Sequence, residues 1–175
     1  ANDLGNLLSR TVAMVEKYFD GVVPAHGEWN DIDRLLIALA EGTASRVKKH
    51  MDELQFSVAL QDIWQLIGEC NRYIDQNMPW VLAKTQEDKP RLARVLYNLL
   101  ETIRIITVPL SAFMPETMPK IWEQIGASEA DVAYSTAAVF GTLPANVTVH
   151  KGDIIFPRID VEKEIDELNQ LILAA

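Results

Sequence analysis

Apolar residues recur along most of this chain at alternating steps of three and four, the period of an α-helix that buries one side. From Asn2 to Phe19, Leu4, Leu8, Val12, Val15 and Phe19 gather on one face. Asn2, Asn6 and Arg10 recur every four residues on roughly the opposite face. Asp20-Gly21 and Pro24 end this first helix. Glu28 to about Glu53 predicts a second helix, with Ile32, Leu35, Leu36 and Leu39 facing inward and Gly42 as a local weak point. The third, from about Leu54 to Asn77, carries Phe56, Leu60, Ile63, Ile67, Cys70 and Ile74 at bundle-seam spacing, and Trp64 widens that seam into the core.

Pro79 stops the third helix and pushes Met78 out of helical geometry. A polar loop, Thr85 to Lys89, precedes Pro90 at a first helical turn. The fourth helix runs to about Thr107 on Leu92, Leu96, Leu99, Leu100 and Ile103, and Pro109 bends or ends it. Pro115 to Ile125 predicts a short fifth helix containing Trp122. The pattern lapses over residues 127–153, which are rich in Thr, Ala and Gly and predict loop with at most one short strand. Ile154-Ile155-Phe156 is a β-prone triplet closed by Pro157-Arg158-Ile159-Asp160, and Val161 to Leu173 predicts a last helix with Val161, Ile165, Leu168 and Ile172 on its apolar face.

The fold class expected is all-α: an antiparallel helical bundle over residues 1–126, then a loop or short-strand segment and a C-terminal helix over 127–175. Up-and-down winding would bring Trp80 to the end where the first helix finishes, nearer Arg10 and Asn6 than Asn2. A length of 175 residues, 49% of them hydrophobic, suits one domain with a sizeable core. No apolar run is long and uninterrupted enough to span a membrane, and no leader pattern is visible. The chain opens on Ala-Asn-Asp inside a helical pattern, as expected of a fragment of something longer.

The single cysteine, Cys70, excludes an internal disulfide and suits a reducing, cytoplasmic compartment. Cys70 with His26, His50 and His150 has no metal-ligand spacing, so no metal site is expected and Cys70 is assigned to the core. A net charge of −9 argues against a general nucleic-acid binder, DNA included. The charge is uneven, however. Residues 70–110 carry Arg72, Lys84, Lys89, Arg91, Arg94 and Arg104 against Asp75, Glu87, Asp88 and Glu101, a weakly basic zone around Trp80.

No Gly-x-Ser-x-Gly, phosphate-cradling glycine loop or His-Glu-x-x-His occurs, so no catalytic residue is assigned. The residues suited to binding are more specific. An asparagine amide presents a donor beside an acceptor and can pair with a base edge. Arginine adds a planar fork. An exposed tryptophan offers a stacking face, and unstacked loop bases of RNA are read by such groups. Asn2, Asn6, Arg10, Pro79 and Trp80 are therefore the candidate RNA-binding residues. From the residues alone two plainer roles stay open: a solvated polar stripe, and a Pro-Trp pair that plugs the end of a helix.

Asn2-Asp3-Leu4-Gly5-Asn6-Leu7-Leu8-Ser9-Arg10 resembles the helix that opens the anticodon-binding domain of methionyl-tRNA synthetases. Asn71-Arg72-Tyr73, continuing to Met78-Pro79-Trp80, resembles that domain's Asn-Arg-Tyr-x-x-x-x-x-Pro-Trp segment. Phe156-Pro157-Arg158-Ile159-Asp160 resembles the segment before its final helix. The resemblance implies recognition of a CAU anticodon, with Trp80 stacked on an unstacked base, Asn6 and Arg10 reading the first anticodon nucleotide, and Asn2 in support. It implies a parent ligase that uses ATP and Mg2+ to charge tRNA with methionine, and a final helix that packs toward that parent's catalytic domain. The family's His-Ile-Gly-His and Lys-Met-Ser-Lys-Ser signatures are absent, so this chain should need no cofactor and be inactive alone. The alternatives are the same bundle from a sister synthetase for valine, leucine, isoleucine or cysteine, and a helical protein-interaction module.

Overall fold

A computed structural model describes residues 2–157 and 160–173. The long helices are α1 (Asn2–Phe19), α2 (Asp31–Asp52), α3 (Phe56–Asn77) and α5 (Lys89–Leu110). Between the last two lies a single-turn helix, α4 (Pro79–Leu82), and α6 (Met118–Ile125) and α7 (Val161–Leu173) follow. The architecture is all-α, as the spacing predicts.

Helix α5 is the hub. From Leu92 through Leu110 every residue is buried except Arg94. Helices α1, α2, α3, α4 and α6 all pack on it. Pro109 sits inside its last turn, where its missing N–H leaves the Ile105 carbonyl without its helical donor, and the helix ends one residue later at Leu110. Helices α2 and α3 form the closest pair. Helix α2 starts at Asp31, later than its hydrophobic pattern suggests, because Asn30 caps it. The Asn30 side chain accepts the Asp33 N–H at 3.0 Å, and Asp33 accepts the Asn30 N–H at 3.0 Å.

Four sequence assignments change. Ile32 and Leu35 are exposed, Leu35 by 74%. The buried arc of α2 is instead Asp33, Leu36, Ala40, Thr43, Ala44 and Val47. Alanines there let neighbouring helices approach closely, and the apolar stripe proves wider than the arc they cover. Phe56 is exposed at the first residue of α3, and Trp64 is 38% exposed, at the border of the seam instead of inside it. Cys70 is fully buried, and burial pushes its thiol pKa up.

The stretch after α6 has no helical seam; it is held by a few buried side chains, Ala137, Phe140, Leu143 and Val149, and by polar groups. Glu101 and Arg104, both buried on α5, pair at 2.8 and 2.9 Å. Glu101 accepts the N–H groups of Gly141 and Thr142, each at 2.8 Å, and of Leu143 at 3.0 Å. Arg104 donates to the carbonyls of Asp131 and Val139, both at 2.8 Å. The chain then runs antiparallel along α1. The Val23 N–H reaches the Val147 carbonyl at 2.9 Å, the Lys151 N–H reaches Glu16 at 2.8 Å, and Phe156 lies over Gly5. Gly126 ends α6 with φ +72, and a Cβ there would sit 2.6 Å from the Thr148 oxygen. Among the described residues this segment forms no strand, only an antiparallel bridge, Val22 with Thr148. The Ile154–Phe156 triplet runs beside a helix and so has no strand to pair with. The apolar face of α7, Val161, Ile165, Leu168 and Ile172, is exposed.

Candidate nucleic-acid interface

Two elements carry the candidate residues. On α1 the buried positions Leu4, Leu7, Leu8, Thr11, Val12 and Val15 fix the helix's rotation. Asn6 then faces solvent and Arg10 is half-buried. Among the described residues neither side chain makes a hydrogen bond or ion pair. The side chain of Asn2 lies outside the described residues, as do Arg158 and Ile159 of the Phe-Pro-Arg-Ile-Asp segment. At ~100° per residue, Lys17 falls within ~20° of Asn6 and Arg10 around the helix axis. The polar stripe therefore continues to the end of α1.

The second element is built around a backbone reversal. Met78 adopts a left-handed conformation, φ 45 and ψ 62, and its N–H still closes on the Ile74 carbonyl. Pro79 follows as the first residue of α4 and is buried, while Trp80 is 44% exposed. Proline at the first helical position loses nothing, since that N–H has no helical partner. The tryptophan is thus held by a stiff turn without being packed away, which is not the burial expected of a helix plug. Its indole N–H has no partner among the described residues.

A buried polar network fixes the end of α3 on which this turn depends. Asp33 is fully buried, and one Arg91 nitrogen donates to both of its oxygens, at 2.9 and 2.7 Å. The Tyr73 hydroxyl donates to the same carboxylate at 2.6 Å. Arg91 also donates to the side-chain oxygen of Asn77, whose own amide donates to the Tyr73 carbonyl at 2.8 Å. Asn98 donates to the Tyr73 hydroxyl at 3.0 Å and accepts from the Trp29 indole at 3.2 Å. Burial pushes the Asp33 carboxyl pKa up, but hydrogen bonds from Arg91, Tyr73 and the Asn30 backbone outweigh it and leave it below the ordinary carboxylate value. Burial, with Asp33 alongside, pushes the Tyr73 phenol up.

A groove opens between the end of α1 and the loop that follows α4. Lys17 and Tyr18 of α1 line it together with Ala83, Lys84, Thr85, Gln86, Lys89 and Leu92. The Lys89 ammonium also lies 5.6 Å from the centre of the Phe19 ring. Three lysines thus converge immediately after α4, where the expected winding puts Trp80. Along α1, Lys17 lies about 10 Å beyond Arg10. Among the described residues no hydrogen bond or ring contact joins Trp80 directly to Asn6 or Arg10. Sequence reasoning missed Lys17 and the Asp33–Tyr73–Asn77–Arg91 network. The four-residue spacing of Tyr73 and Asn77 just before Pro79 was the available signal for part of it.

Fold and surface together define a class, the all-helical bundle domain with a polar helix face and an exposed aromatic on a separate turn. The family profile described as the anticodon binding domain of methionyl tRNA ligase matches residues 23–171, and the chain belongs to that family. It is 51% identical over 170 residues to a methionine–tRNA ligase of Caldanaerobacter subterraneus subsp. tengcongensis, covering 97% of this chain and 26% of that protein. It is 51% identical over 171 residues to the ligase of Clostridium tetani, covering 98% and 26%. The fold matches Mycobacterium tuberculosis methionyl-tRNA synthetase in complex with methionyl-adenylate, with a TM-score of 0.85 and 35% identity over 90% of this chain and 31% of that one. The apo form of the same enzyme matches with a TM-score of 0.86. The chain thus spans about a quarter of the length of the curated relatives it matches.

Proposed function

We propose that this chain reads the CAU anticodon of tRNA as the recognition part of a methionine–tRNA ligase. The observation that carries this is Trp80, exposed on a proline-stiffened turn three residues before a lysine-lined groove that the end of α1 also borders. Trp80 would stack on an anticodon base, Pro79 would stiffen its turn, and Asn6 and Arg10 would read a base edge with Asn2 in support. Lys17, Lys84 and Lys89 supply positive charge for the backbone of the same loop in an otherwise acidic chain. The partner within the parent protein is its catalytic domain, toward which α7 would turn its exposed apolar face, and the compartment is the cytoplasm. No helix among the described residues is long and apolar enough to cross a membrane.

ATP and Mg2+ belong to the parent's catalytic part. Among the described residues no group of three or more His, Cys, Asp or Glu could hold a metal ion, and the sequence has no glycine loop to cradle a triphosphate. These residues do not fit that group, and the chain's task is to bind, not to activate an amino acid. Filter binding against a tRNA panel tests the proposal. Preference for tRNA with a CAU anticodon over the same tRNA with a changed anticodon is expected. Equal affinity for all anticodons would overturn it, and preference for a valine, leucine, isoleucine or cysteine anticodon would move it to a sister enzyme.

A further inference from the structure

We infer that Arg91 is a positioning residue for Trp80, acting through Asn77 at the end of α3. It rests on Trp80 being a base platform, as proposed for the function.

The path is short and continuous. Arg91 sits in the first turn of α5, with its side chain only 20% exposed. One nitrogen grips both oxygens of Asp33 on α2, at 2.9 and 2.7 Å. The other donates to the Asn77 side-chain oxygen. Asn77 is the last residue of α3, and the next three are the left-handed Met78, the buried Pro79 and the exposed Trp80. Asn77 is also tied back to the Tyr73 carbonyl at 2.8 Å. One guanidinium therefore clamps α2, the end of α3 and the start of α5 around the base of the Trp80 turn.

Stability relative to an apolar replacement gives no reason for this arrangement. Burying a carboxylate–guanidinium pair costs about as much in desolvation as the attraction returns, and apolar residues of similar volume often do as well. A forked, two-partner contact does what an apolar side chain cannot, which is to hold a backbone end at one angle. Met78 needs that hold, because a left-handed conformation brings the Cβ of a non-glycine residue too close to the following carbonyl oxygen. Left free, the end of α3 has an incentive to relax, and Trp80 would move with it. A lysine at position 91 can keep the charge on Asp33 but has no planar fork to reach Asn77 as well.

The test uses this chain and a synthetic CAU anticodon stem-loop, with four proteins: wild type, Arg91→Lys, Trp80→Ala and the double variant. All are measured well below their melting temperatures. Arg91→Lys is expected to weaken binding ~10-fold in the wild-type background and less than ~2-fold in the Trp80→Ala background. In protein carrying 5-fluorotryptophan, the Trp80 resonance, identified by its loss in Trp80→Phe, should shift in Arg91→Lys. Asn77→Ala, which removes a half-buried amide, serves as the second variant and should reproduce both effects if Arg91→Lys does not fold. An unchanged Trp80 resonance with wild-type affinity overturns the inference. So does an equal loss in both backgrounds, which would mean that Arg91 acts elsewhere. If Trp80→Ala itself leaves binding unchanged, Trp80 is no platform, and the fluorine resonance still decides whether Arg91 sets its position.

Discussion

The ring of Phe156 lies against Gly5, so close that a methyl group added there would meet the ring at 3.2 Å. This contact joins the segment before α7 to the helix that carries Asn6, one residue along. It also explains a glycine within a helix, the fourth residue of α1, where alanine is normally better by about 1 kcal/mol.

Two glycines with different surroundings test that explanation. Nothing lies within 4 Å of a Cβ built on Gly68, in the exposed part of α3. Gly68→Ala should raise stability by the full ~1 kcal/mol of helix propensity. Gly5→Ala should gain clearly less or lose stability, because Phe156 must move aside. Urea midpoints of the two variants check this. Equal gains would mean that Phe156 yields freely and that Gly5 has no packing role.

Asp33 should make the fold acid-sensitive. Its pKa is lower in the folded chain than the ordinary carboxylate value of ~4. A group with a depressed folded pKa contributes stability that is complete above the unfolded value and disappears as pH falls through the folded one. Stability should thus hold down to about pH 4 and decline below it. Asp33→Asn should be less stable than wild type at pH 7 and lose less as the solution is acidified below the ordinary carboxylate range. A stability profile for Asp33→Asn parallel to that of wild type would show that this carboxylate does not set the acid limb.

Trp80, Asn6 and Ile67 separate recognition from packing. Ile67 is fully buried, whereas Asn6 and Trp80 are exposed. Ile67→Ala should cost about 2–5 kcal/mol of stability. Asn6→Ala should stay within about 0.5 kcal/mol. Trp80→Ala should change the melting temperature little but weaken stem-loop binding by ~1–3 kcal/mol, with Trp80→Phe retaining part of the affinity. A Trp80→Ala variant that binds like wild type would remove Trp80 from the interface.

The Glu101–Arg104 pair should be among the most sensitive positions in the chain. Arg104→Met leaves the Glu101 carboxylate buried without its cation, although three backbone N–H groups still reach it. Losing one partner of a buried pair costs about 3–5 kcal/mol. Proteolysis should then cut first within residues 131–143, whose carbonyls Arg104 holds. Cleavage elsewhere first would show that the pair does not anchor that stretch.

Much of this protein follows from local order in its sequence. The bounds of α1, the seam of α3 from Ile63 to Ile74, and the break at Met78 all come from side-chain period and the covalent geometry of Pro79. These are effects of a few neighbouring residues, so they are legible without the rest of the chain. The motifs around Asn6, Arg10 and Trp80 likewise point to the family that the whole chain joins.

What tertiary structure alone decided is how far each apolar stripe is covered and which polar groups can be buried. Periodicity puts Leu35 and Leu36 on neighbouring arcs of α2, but only the approach of other helices leaves Leu35 in solvent. The same holds for Trp64, and in the opposite sense for Asp33, a carboxylate that is buried because Arg91, Tyr73 and Asn30 reach it. Residues 127–157 carry no helical period, because their order comes from Glu101, Arg104, Glu16 and Gly5 on other elements and from irregularly spaced apolar side chains such as Phe140, Leu143 and Val149 that enter the core. The Trp80 surface belongs to both levels. Proline places the turn by local geometry, whereas the groove between the end of α1 and the loop after α4 exists only because Lys17 is folded against Lys84 and Lys89, distant in sequence.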